Sequence, residues 1–216
     1  MIPAPFSYHR PRTIAEATAL LAEHGDDGRV LAGGQSLIAM MKLRLATPQH
    51  LIDLAGIGDL KGIQKTGNAL VIGATTTQHE LQQSRTATEA APILMEASLL
   101  IADPQVRYVG TVGGNVANGD PGNDMPAVMM CLDASYRLMG AAGSRTVKAR
   151  EFYERAYLTA LRPSEIVAAI EIPVPPAGHG YAYEKLKRKT GDYATAAVGV
   201  VLTVASGKIA TCAIAL

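Results

Sequence analysis

The sequence predicts an α+β protein: two small mixed units in succession, followed by antiparallel strands. Three observations carry this. Helix-period and strand-period segments alternate over residues 1–55. From 56 to 177, strand-like runs flank a long apolar helical stretch. Beyond the boundary segment "PVPPAGHG", residues 178–216 hold strand-like runs separated by turn signals. A chain of 216 residues, 48% of them hydrophobic and 18% charged, is large and apolar enough to bury a core.

The elements follow in order. "TIAEATALLAEHG" opens on Thr13 with Glu16 three residues later, repeats apolar residues at helical spacing and stops at Gly25, which predicts a capped helix. "RVLAGG" is a short strand ending in a glycine pair, "SLIAMMKLR" a helix opening at Ser36, and "HLIDL" a strand. In the second unit "ALVIGATTT" reads as a strand, "ATEAAPILMEASLLIA" as one helix, and "DMPAVMMCLDA" as another. "SYRLMG", "RTVKA" and "IVAAIEIPV" read as strands, the last closed by prolines. "YAYEKLKRK", "ATAAVGVVLTVA" and "KIATCAIAL" follow, with Ser206-Gly207 as a tight turn. The strand ending at Leu216 carries no guard for its edge, so the sequence predicts that the native chain continues.

Several function classes are excluded early. Lys plus Arg (20) nearly balances Asp plus Glu (19), so no overall field favours nucleic acid or an anionic surface. The two cysteines, Cys131 and Cys212, sit singly in apolar runs and are expected to be buried free thiols. "MIPAPFSYHRPRT" has no apolar signal region, and the expected compartment is a reducing cytoplasm.

The chemistry concentrates in glycine-rich stretches. Residues 110–126, "GTVGGNVANGDPGNDMP", hold five glycines, three asparagines, two aspartates and two prolines, a composition expected to be irregular rather than helical or extended. The phosphate-loop and dinucleotide fingerprints are absent, "HEL" lacks the second histidine of a zinc helix, and "GQSLI" lacks the final glycine of a hydrolase elbow. What remains is two loops, "LAGGQSLI" and the 110–126 stretch, each running into a helix. Gly33-Gly34 and Gly113-Gly114 allow close backbone approach, and successive N–H groups near a helix start form an anion nest, so facing loops could hold a pyrophosphate. Asn115, Asn118 and Asn123 add amides, and Asp124 can cap a helix or accept from hydroxyls. Two rivals stay open: ordinary tight turns, and a calcium site from Asp120, Asn123 and Asp124 that lacks the usual ligand spacing.

"AGGQSL" with "TVGGNVAN" resembles the two-part FAD signature of the medium subunits of molybdenum hydroxylases, most nearly the carbon-monoxide-oxidising branch. "SLLIADPQVRYVGTVGGN", "NGDPGNDMPA" and "GHGYAYEKLKRKTGDYATAAV" extend the resemblance over essentially the whole chain. It implies the vanillyl-alcohol-oxidase (PCMH) type of FAD-binding fold in two subdomains, followed by the start of a flavoprotein C-terminal domain that relatives extend with further strands and a helical pair.

By that resemblance Ala32, Gly33, Gly34, Gln35, Ser36 and Leu37 form the first FAD loop, and Thr111, Val112, Gly113, Gly114 and Asn115 the second, with Asn118, Asn123 and Asp124 continuing it. Lys185 is expected toward the isoalloxazine, Tyr193 and Ile101 on its two faces, Asp192 beside Tyr193, and Val167 in the pocket wall. Read without the resemblance, Lys185 is a solvated lysine of a charge run. No cysteine cluster for iron–sulfur ligation is present, so [2Fe-2S] clusters and molybdopterin are expected on a small and a large partner subunit, in a dimer of heterotrimers. No catalytic or metal-ligating residue is expected on this chain. The implied role is electron relay through FAD from carbon monoxide oxidation to a quinone or respiratory acceptor. Two alternatives remain: the same subunit in an aldehyde, xanthine or N-heterocycle oxidising complex, or a flavin-free structural subunit.

Overall fold

A computed structural model describes residues 2–216. The first unit contains β1 (Ser7–His9), α1 (Ile14–His24), β2 (Gly28–Leu31), α2 (Leu37–Lys42) and β3 (His50–Asp53), its strands parallel in the order β1-β3-β2. At the start of α1 the Thr13 hydroxyl accepts the Glu16 N–H at 3.1 Å, while the Glu16 carboxylate takes the N–H of Arg12 at 2.8 Å. The helix stops at Gly25, whose φ of 50° favours glycine.

The second unit opens with β4 (Ile63–Thr66) and β5 (Ala69–Gly73). A helical block follows: α3 (Gln78–Gln83), α4 (Arg85–Ala90), α5 (Ile93–Leu100), α6 (Pro104–Val109), α7 (Val112–Ala117) and α8 (Asp124–Cys131). Then come β6 (Ser135–Gly140), β7 (Gly143–Lys148), α9 (Ala149–Phe152), β8 (Tyr153–Arg155), β9 (Leu158–Thr159) and β10 (Ile166–Pro173). The main sheet is antiparallel in the order β4-β5-β10-β6-β7. The last unit is an antiparallel meander of β11 (Gly180–Leu186), β12 (Ala196–Ala205) and β13 (Lys208–Ala215). Ser206 and Gly207 join its last two strands, both at positive φ as a primed turn requires.

Three expectations are corrected. The single helix expected through "ATEAAPILMEASLLIA" is two, α4 and α5, because Pro92 has no N–H and pushes Ala91 out of helical geometry to φ −151°. The glycine-rich stretch is not irregular throughout, since Val112–Ala117 is helical. Two interior glycines weaken such a helix by about 1 kcal/mol each; packing offsets this, because a Cβ at Gly113 would fall on Ala74 and its N–H reaches the Ala74 carbonyl at 2.9 Å. Cys131 is buried as expected, but Cys212 is exposed, lying on the outer face of β13 with Ile214.

β10 organises the core. Ile166 and Ala168 pack into the smaller cluster with α1 and β3, whereas Val167, Ile170 and Ile172 belong to the larger cluster with the helical block. Strict alternation would put Ile166 and Ile170 on one face. A bulge prevents this: Val167 pairs with Leu138 but Ala169 with Arg137, so one extra residue reverses the facing of everything after it. One strand thereby closes two cores.

Ile170→Ala should destabilise the protein by about 2–5 kcal/mol, because the side chain is wholly buried and its removal leaves a cavity. Urea unfolding of wild type and variant measures the difference.

Candidate cofactor-binding site

A cleft of about 820 Å³ runs between the β2–α2 loop and the start of α7. The two loops touch: a Cβ on Gly33 would fall on the Val109 carbonyl and lie 2.8 Å from the Gly110 Cα. Gly34 has φ 69°, and a Cβ there would meet Ile38 at 2.7 Å. Both positions therefore require glycine, one for close approach and one for backbone conformation.

The loops contribute differently. Among the described residues the backbone N–H groups of Gly33, Gly34, Gln35 and Ser36 find no acceptor in the chain, and the ladder of α2 begins only with Ile38 N–H to the Gly34 carbonyl at 3.0 Å. Such a run of free donors in a turn is an anion nest. On the second loop, Val112 N–H bonds Thr76 (2.8 Å) and Gly113 N–H bonds Ala74 (2.9 Å). Gly114 N–H bonds the Thr111 hydroxyl (3.0 Å), and Asn115 N–H the Thr111 carbonyl (3.0 Å). This loop supplies shape and side chains rather than amide donors.

Ala32 through Leu37, Ile101, Thr111, Gly114, Asn115, Asn118 and Asn123 all line this one cleft. Val112 is buried behind it, and Gly113 and Val167 line an adjoining recess of about 80 Å³ that shares Ala32, Gly114 and Glu165 with the cleft. Asp124 and Lys185 form a buried ion pair at 2.8 Å, with the Lys185 side chain only 2% exposed, so the solvated-lysine reading is overturned. Tyr183 donates its hydroxyl to the same carboxylate; burial, then that negative partner, push its phenol far above the ordinary value. Asp124 is thus committed to protein partners, and Asn123 occupies the N-cap position of α8 without a side-chain cap bond.

Asp192 and Tyr193 lie outside the cleft lining, on the turn after β11. Asp192 pairs with Arg188 at 3.3 Å, and Tyr193 packs beside Gly122 and donates to Asp120 at 3.1 Å. Burial, followed by Asp120, pushes the Tyr193 phenol up to about 12. Asp120 also takes the Gly122 N–H, while Asn123 donates to the Asn115 carbonyl, so the side chains weighed as calcium ligands point to different partners.

One wall escaped the sequence reading. Residues 157–158 and 161–165 line the cleft, although "YLTALRPSE" shows no period or motif. Within it Glu165 is held in place by a bidentate bond to Arg145 at 2.8 Å, which lowers its pKa against the opposing effect of burial. Gln78 was missed as well: it lines the cleft at 2% exposure with neither amide atom partnered, and the Asn115 Oδ1 is likewise unpaired. Orphaned buried polar atoms around a nest fit a large polar ligand bearing phosphates.

His9, His24 and His50 also cluster, at the edge of the first sheet. The rings of His24 and His50 lie face to face at 3.7 Å and 10°, so their in-plane lone pairs run parallel instead of converging, which describes a packed stack rather than a metal centre.

Two outcomes follow from this geometry. Gln78→Met should stabilise the cofactor-free protein by about 1 kcal/mol, because an unsatisfied amide leaves the interior; thermal unfolding reads it. The stability contributed by Arg145–Glu165 should be fully present above the ordinary glutamate value of 4.5 and lost as pH falls through the lowered folded-state value. Glu165→Gln should flatten that acid limb in unfolding curves taken against pH.

Known proteins resemble the chain over its full length. Residues 4–175 match the family described as the FAD binding domain in molybdopterin dehydrogenase. The chain is 62% identical over 216 residues to the carbon monoxide dehydrogenase medium chain of Afipia carboxidovorans, spanning all of this chain and 75% of that protein. It is 48% identical, over the same shares, to the protein of that name from Hydrogenophaga pseudoflava. A crystal structure of the Cu,Mo-CO dehydrogenase in its cyanide-inactivated form superposes with a TM-score of 0.98 at 63% identity, over 99% of this chain and 75% of that one. The chain belongs to the FAD-binding domain family of the molybdopterin dehydrogenases.

Proposed function

We propose that this chain is the FAD-carrying medium subunit of an aerobic carbon monoxide dehydrogenase and relays electrons away from the oxidation site. The observation that carries the reading is the nest of free N–H groups at Gly33–Ser36 facing Gly114 across one cleft. The nest would hold the pyrophosphate, with the Asn115, Asn118 and Asn123 amides and Gln78 beside it. FAD, when bound, exchanges electrons singly or in pairs, which suits a link between iron–sulfur clusters and a terminal acceptor. The chain's own residues bind and orient the cofactor and exclude water. Among the described residues the reading assigns none to an acid–base step.

Substrate oxidation then belongs to a large molybdopterin subunit, and electrons arrive through a small [2Fe-2S] subunit, in a dimer of heterotrimers. The names of the two most similar proteins reported above support carbon monoxide as the substrate. A quinone is the proposed acceptor, reached at the inner face of the cytoplasmic membrane through the partners. The complex itself is proposed to be cytoplasmic, and among the described residues no helix is long and apolar enough to cross a membrane.

Purified with its partners, the wild-type chain should show flavin bands near ~450 nm and release one FAD per chain. Gly34→Val and Gly114→Trp should each empty the site, the first through its strained backbone and the second by filling the space beside Ala32. A colourless wild-type complex after incubation with FAD would remove the relay role.

A further inference from the structure

We propose that Arg107 is a positioning residue for the flavin, acting by holding the backbone that presents Ile101 to the cleft. The inference rests on the FAD reading above. It begins at the end of α5, where the carbonyls of Leu100, Ile101 and Ala102 have no helical partner. Three cations meet them. Leu100 accepts from Lys185 Nζ at 3.3 Å and Lys187 Nζ at 3.1 Å. Arg107 Nη1 donates to the Ile101 carbonyl at 2.7 Å and more weakly to that of Ala102 at 3.4 Å.

The turn being held is strained. Ala102 has φ 44°, a left-handed conformation that is unfavourable for a residue with a Cβ. Without a donor on its flanking carbonyls, the segment can relax into extended geometry and turn Ile101 away from the cleft it lines. Arg107 projects from α6, which is itself anchored by Asp103 accepting the Val106 N–H at 3.0 Å. The short 101–110 segment therefore closes on itself, running from Ile101 to the arginine that grips it and on to Gly110 beside the first glycine loop.

The charge has a second effect. Lys185 is neutralised by Asp124, but among the described residues neither Arg107 nor Lys187 has a carboxylate within 4.0 Å. Unneutralised positive charge behind the Ile101 wall favours the more electron-rich form of a neighbouring redox group. Arg107 is thus expected to act on both the orientation and the potential of the flavin without touching it.

Arg107→Met removes donor and charge, whereas Arg107→Lys keeps the charge on a shorter stem. Both are to be purified as the full chain with its partners, with FAD content, visible circular dichroism of the bound flavin and its reduction potential measured. The expected result is a potential moved to more negative values and an altered flavin dichroism in Arg107→Met. Arg107→Lys should keep a potential close to wild type while sharing part of the dichroic change. An unchanged dichroism and potential in Arg107→Met at wild-type FAD content overturns the inference. If Arg107→Met loses FAD or fails to assemble, Arg107→Lys decides, and wild-type dichroism there overturns it. A wild-type complex without FAD would instead overturn the reading on which the inference rests.

Discussion

The bulge at Val167–Ala169 is the constraint on which the rest of the molecule depends. It brings Ile170 and Ile172 onto the face of Val167 while Ile166 and Ala168 stay on the other, so that the parallel first unit and the helical block share one wall. Most strands facing solvent on one side alternate apolar and polar residues; "IVAA" does not, because both its faces are dry. The distance between the two glycine loops is set by this seam. β2, which delivers the first loop, is packed against one side through the small core, and α7, which delivers the second, against the other.

On that scaffold the loops divide the work of holding an anionic ligand. The first keeps its amide hydrogens free and relies on Gly33 and Gly34 to do so in a tight turn. The second is pinned to the end of β5 by its own amides and so forms a rigid counter-surface. Rigidity in one partner and open donors in the other is an arrangement suited to preorganised binding, because little ordering remains when the ligand arrives.

Much of this was legible in the residues. Capping at Thr13, the glycine stop at Gly25, the Ser206-Gly207 turn and the antiparallel tail all follow from local chemistry, and the paired glycines marked the cleft. The failures have a common cause, namely tertiary packing that local propensity cannot register. Gly113 and Gly114 read as breakers, yet contact with Ala74 makes a helix there. Read from its neighbours alone, without the family resemblance, Lys185 is a member of a charged run, yet Asp124, distant in sequence, draws it inside. The wall at 157–165 left no trace because its residues are ordinary and only their placement makes them part of the site. Tyr193 donates to Asp120, a partner that no spacing rule would supply.

The Asp124–Lys185 pair also bears on where a domain ends. The family match stops at residue 175, and the prolines that follow look like a seam at which the chain could be divided. Dividing it there would strand a carboxylate in the helical block without its counter-ion, and removing one partner of a buried pair typically destabilises by about 3–5 kcal/mol. Keeping this pair together therefore takes the chain past residue 175, at least as far as Lys185.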